Sequence, residues 1–89
     1  MGVSYQRIVE LAEEVNAIVP GVVDTRNIVP TGKILKAPEQ RALKSKRREL
    51  EKERKKQRRE LVAGSKSQQD YIDALSYQIE LIKAVINAF

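Results

Sequence analysis

Tyr71-Ile72-Asp73-Ala74-Leu75-Ser76-Tyr77-Gln78-Ile79-Glu80-Leu81-Ile82-Lys83-Ala84-Val85-Ile86-Asn87-Ala88-Phe89 is the stretch from which the fold is read. Ile72, Leu75, Ile79, Ile82, Ile86 and Phe89 follow one another at spacings of 3, 4, 3, 4 and 3. That is the a/d rhythm of a helix with one buried seam. Tyr71, Ala74, Leu81, Val85 and Ala88 widen the seam to about half the helix circumference, leaving Asp73, Ser76, Glu80, Lys83 and Asn87 for water. Upstream, Ser67-Gln68-Gln69-Asp70 has the form of a capping box with Asp70 in place of the usual Glu or Gln. The pattern predicts a heptad-patterned helix over 67–88.

Working back from this helix, Gly64 is a natural left-handed stop for the element before it. That element opens at Ala37-Pro38-Glu39, where a proline in the first turn and an early acid suit a helix start. From there to Ala63 there is no glycine, no further proline and no β-branched residue before Val62, which predicts a basic helix over 38–63. The short link around Gly64 to Lys66 makes the two helices an antiparallel hairpin with coiled-coil character.

At the other end, Ser4 can cap a helix in which Ile8, Leu11, Val15 and Ile18 recur at spacings of 3, 4 and 3. Ala12 and Val19 widen that face, and Pro20-Gly21 ends a helix predicted over 4–19. Between 20 and 37 the chain reads as a connector. Val22-Val23 and Ile28-Val29 flank the turn-forming run Asp24-Thr25-Arg26-Asn27, so a small hairpin and an irregular extended segment are both compatible. Pro30-Thr31-Gly32-Lys33 fails as a phosphate-binding loop, since Asn27 stands where the leading Gly is needed and Ile34 replaces the Ser or Thr for magnesium. The expectation is thus a single, mainly all-α domain over 1–89.

Composition narrows the chemistry. The 89 residues include neither Cys nor His, which excludes disulfides, thiolate chemistry, Cys/His zinc sites and Ser-His or Cys-His catalysis. The remaining carboxylates, lysines, tyrosines and hydroxyls form no recognisable catalytic arrangement, so no enzyme, metal or cofactor is expected. Asp70 and Asp73, one turn apart, are accounted for by capping and solvation. The N-terminal segment has no apolar core of a signal peptide, and no stretch approaches membrane-helix length. A cytoplasmic or intra-virion location is expected, rather than secretion.

Charge is strongly segregated. Between Arg41 and Arg59 eleven basic residues face three acids, an excess of eight positive charges, while the rest of the chain carries a net −3. Arg41, Lys44, Arg48, Lys52, Lys55 and Arg59 recur at spacings of 3, 4, 4, 3 and 4 and form a continuous basic stripe, with Lys56 and Arg58 beside it. Leu43, Leu50 and Leu61 form a thin apolar seam opposite, and Glu49, Glu53 and Glu60 an acidic flank. Such a stripe suits a nucleic-acid backbone or another polyanion, bound without sequence specificity. It contains no Asn for base reading and no aromatic residue for stacking. Basic segment followed by heptads is the order of a basic-leucine-zipper protein, but Gly64 and the polar run to Gln69 interrupt the continuous helix that such proteins need.

Two expectations complete the reading. The Ile-rich stripe Ile72, Leu75, Ile79, Ile82, Ile86 and Phe89 has little apolar cover from the three leucines of the basic helix, so it is expected to mediate homo-oligomerisation. The leading function is therefore a non-enzymatic helical oligomer that presents basic rods to nucleic acid. The alternative is an assembly, scaffold or adaptor component, for example of a virus or phage particle, whose basic helix meets an acidic protein surface. Membrane contact is not expected, since three leucines without an aromatic give little insertion energy.

Overall fold

The computed structural model describes residues 3–88. Helix α1 spans Tyr5–Ile18, strand β1 Val23–Asp24, strand β2 Val29–Pro30, helix α2 Ala37–Arg59 and helix α3 Lys66–Asn87. The two strands pair antiparallel with Val23 opposite Pro30 and Asp24 opposite Val29, so the connector forms a small hairpin. Helices α2 and α3 pack along one another as the expected antiparallel helical hairpin, and the protein is a rod with extents of 42 × 25 × 18 Å.

Each helix begins for a local reason. Ser4 caps α1 by accepting from the backbone N–H of Arg7 at 3.2 Å. Glu39 reaches back to the N–H of Lys36 at 2.9 Å and satisfies one open donor at the start of α2, with Pro38 in the first turn. For α3 the cap is Ser65, which accepts from Gln68 N, and not the predicted Ser67. Gly64 does hold the left-handed conformation, φ +84°, that turns the chain between the helices.

Helix α2 stops at Arg59, four residues short of the predicted end. The side chain of Gln68 explains the difference, because it supplies the hydrogen bonds that a continuing helix would have made. Its Nε2 donates to the Glu60 carbonyl at 3.1 Å and its Oε1 accepts from Val62 N at 3.1 Å, while Nε2 also approaches Gln57 Oε1 at 3.3 Å. One residue from the first turn of α3 thereby ties off the last turn of α2.

The core is built around α3. Ile72, Leu75, Ile79 and Ile82 are buried, and so are Ala74, Leu81 and Val85 on the flank of the same face. They meet Leu43 and Leu50 of α2, Leu11, Ala12 and Val15 of α1, and Val19, Val22, Val23 and Leu35 of the connecting segments. The stripe expected to pair separate chains is therefore occupied within one chain. Ile86 is half-buried against the same cluster, and Phe89 lies outside the described residues. The physical reason is that α3 has two partners. Its half-circumference apolar face exceeds what the leucines of α2 can cover, and α1 together with the hairpin covers the remainder.

A polar anchor fixes the hairpin to this core. The Asn16 side chain on α1 accepts from Val22 N at 3.1 Å and Val23 N at 2.9 Å, and donates to the Val23 carbonyl at 2.9 Å. These contacts satisfy backbone groups of Val23, in a two-residue strand too short to satisfy them alone, and of Val22 just before it. Gln78, the one buried polar residue of the core among those described, donates to the Leu11 carbonyl at 3.2 Å and so joins α3 to α1.

Candidate nucleic-acid interface

Leu43 and Leu50 turn inward onto α3, which points the opposite face of α2 at solvent. Arg41, Arg48, Lys52, Lys55 and Arg59 of the predicted stripe are exposed there and Lys44 is half-exposed. Lys56 and Arg58, beside the stripe, are exposed too. The third leucine of the expected seam, Leu61, lies beyond the end of α2 and is 39 % exposed. Between Arg41 and Arg59 the helix rises about 27 Å at ~1.5 Å per residue, so the stripe places roughly one positive charge on each turn.

The acids of α2 could neutralise this face through pairs three or four residues apart, such as Glu51–Lys55, Glu49–Lys52, Glu53–Lys56 and Lys56–Glu60. None of these pairs forms among the described residues. Glu49 approaches Lys46 at 4.0 Å and Glu51 approaches Arg47 at 3.7 Å. Glu53 accepts from Gln57 Nε2 at 2.9 Å and from the Tyr71 hydroxyl at 3.5 Å. Arg54 donates to Ser76 Oγ of α3 at 3.4 Å. The basic residues with local partners are thus Lys46, Arg47 and Arg54, which flank the packed side. Among the described residues the eight predicted contact residues have no ion pair, and their charge stays available to a ligand.

One residue of this surface is not legible from α2 alone. Tyr71, in the second turn of α3, is 43 % exposed and lines an open groove of about 690 Å³ with Lys52, Lys56 and Arg59 of α2. Leu50 and Leu75 contribute apolar surface to this groove, and Glu49 and Glu53 contribute carboxylates. Partial desolvation pushes the Tyr71 phenol above its ordinary value, and the neighbouring Glu53 charge reinforces the shift. The basic stripe lacks an aromatic of its own, but the hairpin brings one alongside it. The clue in the sequence is the position of Tyr71 at the edge of the apolar face of α3, which chain reversal at Gly64 sets beside the last turns of α2.

No helix among the described residues is long and apolar enough to cross a membrane. Compared with known proteins, the chain matches no family model, no curated sequence and no solved structure.

Proposed function

We propose that the protein is a non-enzymatic nucleic-acid-binding module that holds the phosphate backbone, without sequence specificity, on the outer face of α2. The observation that carries this reading is the exposed stripe Arg41, Lys44, Arg48, Lys52, Lys55 and Arg59, with Lys56 and Arg58 beside it, free of ion pairs among the described residues. A solvated rod of balanced charge would have its lysines and arginines answered by its own glutamates. Here Glu49, Glu51 and Glu53 are engaged elsewhere, and a chain of cations faces water over several turns. Releasing condensed counterions from a polyanion is the favourable process that such a surface supports.

The test is binding to a labelled nucleic acid titrated across salt. Six phosphate contacts give an expected log–log slope of about −5 on a duplex, at ~0.9 per contact. The triple variant Arg48→Glu, Lys52→Glu, Lys55→Glu is expected to lose binding while retaining its helical circular dichroism, because all three side chains are exposed. Absence of binding at low salt, or a reversed stripe that binds as well as the parent, would refute the reading.

A second reading has its own support. Ile34 is 81 % exposed just before α2 and Val62 is 66 % exposed just after it, so an apolar side chain marks each end of the basic rod. An assembly or scaffold component that self-associates through these ends, and sets α2 against an acidic protein surface, would make use of both. A defined higher-order assembly that ignores nucleic acid would favour that reading.

A further inference from the structure

The groove beside the basic stripe carries the inference furthest. Its outer edge is cationic, formed by Lys52, Lys56 and Arg59, and one aromatic side chain from α3 stands in it. Leu50 and Leu75 supply apolar surface beneath, and the carboxylates of Glu49 and Glu53 lie on the helix between the stripe and Leu50, with Lys46 beside them. Cationic, acidic, apolar and aromatic groups thus meet along one flank of α2.

A nucleotide carries groups that match the cationic edge and the aromatic ring. Its phosphate is anionic, its base has a π-face, and the base edge carries hydrogen-bond donors where it bears an amino group. Phosphate is attracted to the stripe and repelled by the carboxylates, so the backbone is confined to the outer edge. A base turned inward meets the exposed ring of Tyr71 and the apolar surface around it. In a duplex the bases are paired and stacked, and cannot enter such a groove without being extruded at an energetic cost. A helix inserted in the major groove of a duplex would also set its acidic flank against one of the two phosphate strands. A single strand avoids both penalties.

Resting on the polyanion reading above, we propose that the preferred ligand is single-stranded nucleic acid, with the backbone on the stripe of α2 and an unpaired base stacked on Tyr71. The Tyr71 hydroxyl lies 3.5 Å from Glu53 Oε1, and Glu53 is itself held by Gln57 at 2.9 Å. Tyr71 thus contributes a stacking surface that tolerates any base, as expected of a binder without sequence preference.

The experiment compares a labelled oligonucleotide as a single strand and as the duplex with its complement, across salt, on the full chain and on two variants. The parent is expected to prefer the single strand, with a salt slope near −4 at ~0.7 per contact. Tyr71→Leu keeps the apolar volume but removes the ring, and is expected to weaken single-strand binding about tenfold while leaving duplex affinity and both salt slopes unchanged. Tyr71→Phe is expected to restore single-strand binding, since the face and not the hydroxyl does the stacking. Quenching of tyrosine fluorescence by the single strand, absent in Tyr71→Leu, provides a direct readout of the stacked ring.

Equal or tighter binding to the duplex overturns this proposal, and so does a Tyr71→Leu variant that binds the single strand as the parent does. Either result leaves backbone binding by α2 standing. Absence of binding to both forms at low salt overturns the polyanion reading itself.

Discussion

Replacing Ile79 with alanine tests whether the Ile-rich face of α3 is a core or an interface between chains. Ile79 has 0 % exposure and sits in the cluster that joins α1, the hairpin, α2 and α3. The substitution removes three buried carbons at about 0.8 kcal/mol each, and the surrounding side chains, packed from several elements, refill the space only in part. The expected loss is about 3 kcal/mol, within the ~2–5 kcal/mol range of such truncations. For 89 residues the unfolding entropy is about 0.19 kcal/mol per kelvin, so the thermal midpoint is expected to fall by about 16 °C. Circular dichroism melts across about a hundredfold range of protein concentration supply the second axis. A face buried within one chain gives a midpoint independent of concentration, whereas one buried between chains gives a midpoint that rises with it. A parent midpoint that climbs with concentration, or a fall of only a few degrees in the variant, would refute the intramolecular core.

Two further predictions follow from polar contacts. Asn16→Ala leaves the N–H groups of Val22 and Val23 and the Val23 carbonyl without their side-chain partner, and is expected to cost about 2–4 kcal/mol in denaturant unfolding; unchanged hydrogen exchange at Val22 and Val23 would contradict the anchoring role. Acid is expected to loosen the hairpin turn and the start of α2. Asp24 is held below its ordinary 3.8 chiefly by the Arg26 N–H, and Glu39 below its ordinary 4.5 chiefly by the Lys36 N–H. Because folding lowers both values, their stabilisation is complete above about pH 4.5 and is lost as pH falls through the lower folded values. Carboxyl titration by NMR checks the direction, and Asp24→Asn should abolish the acid response of the turn while leaving that of Glu39.

The helices were legible because their signals are periodic and local. Ile72 to Ile86 announce α3, Pro38 and Glu39 announce the start of α2, and Gly64 announces the reversal between them. The basic stripe was legible for the same reason, since one face of a straight helix follows from spacing alone. What escaped the sequence depends on side chains that act across the fold. Asn16 looks like an ordinary polar position on the outside of α1, yet its amide completes the hydrogen bonding of Val22 and Val23 at the start of the β-hairpin. Gln68 looks like part of a capping box, yet it closes the end of α2. The intramolecular cover of α3 is not legible because Val19, Val22, Val23 and Leu35 lie in and beside a connector whose path no helical periodicity describes. Tyr71 escaped as a neighbour of the basic stripe because a wheel drawn for α2 contains no residue of α3.

The central position of α3 also bears on how the chain folds. Leu11 and Gln78, which join α1 to α3, are 67 residues apart, whereas α2 and α3 are consecutive and meet through a short turn. Closing a short loop costs less entropy than closing a long one, so the α2–α3 hairpin is the unit expected to assemble first, with α1 and the β-hairpin docking afterwards. During synthesis the order of appearance is different: α1 and the basic helix leave the ribosome before α3 exists to receive them. Until then Leu43 and Leu50 lack the face of α3 that covers them, and the cationic face of α2 is already complete. The nascent chain therefore passes through a stage in which its charge is in place and its hydrophobic support is not, and the emergence of α3 ends that stage.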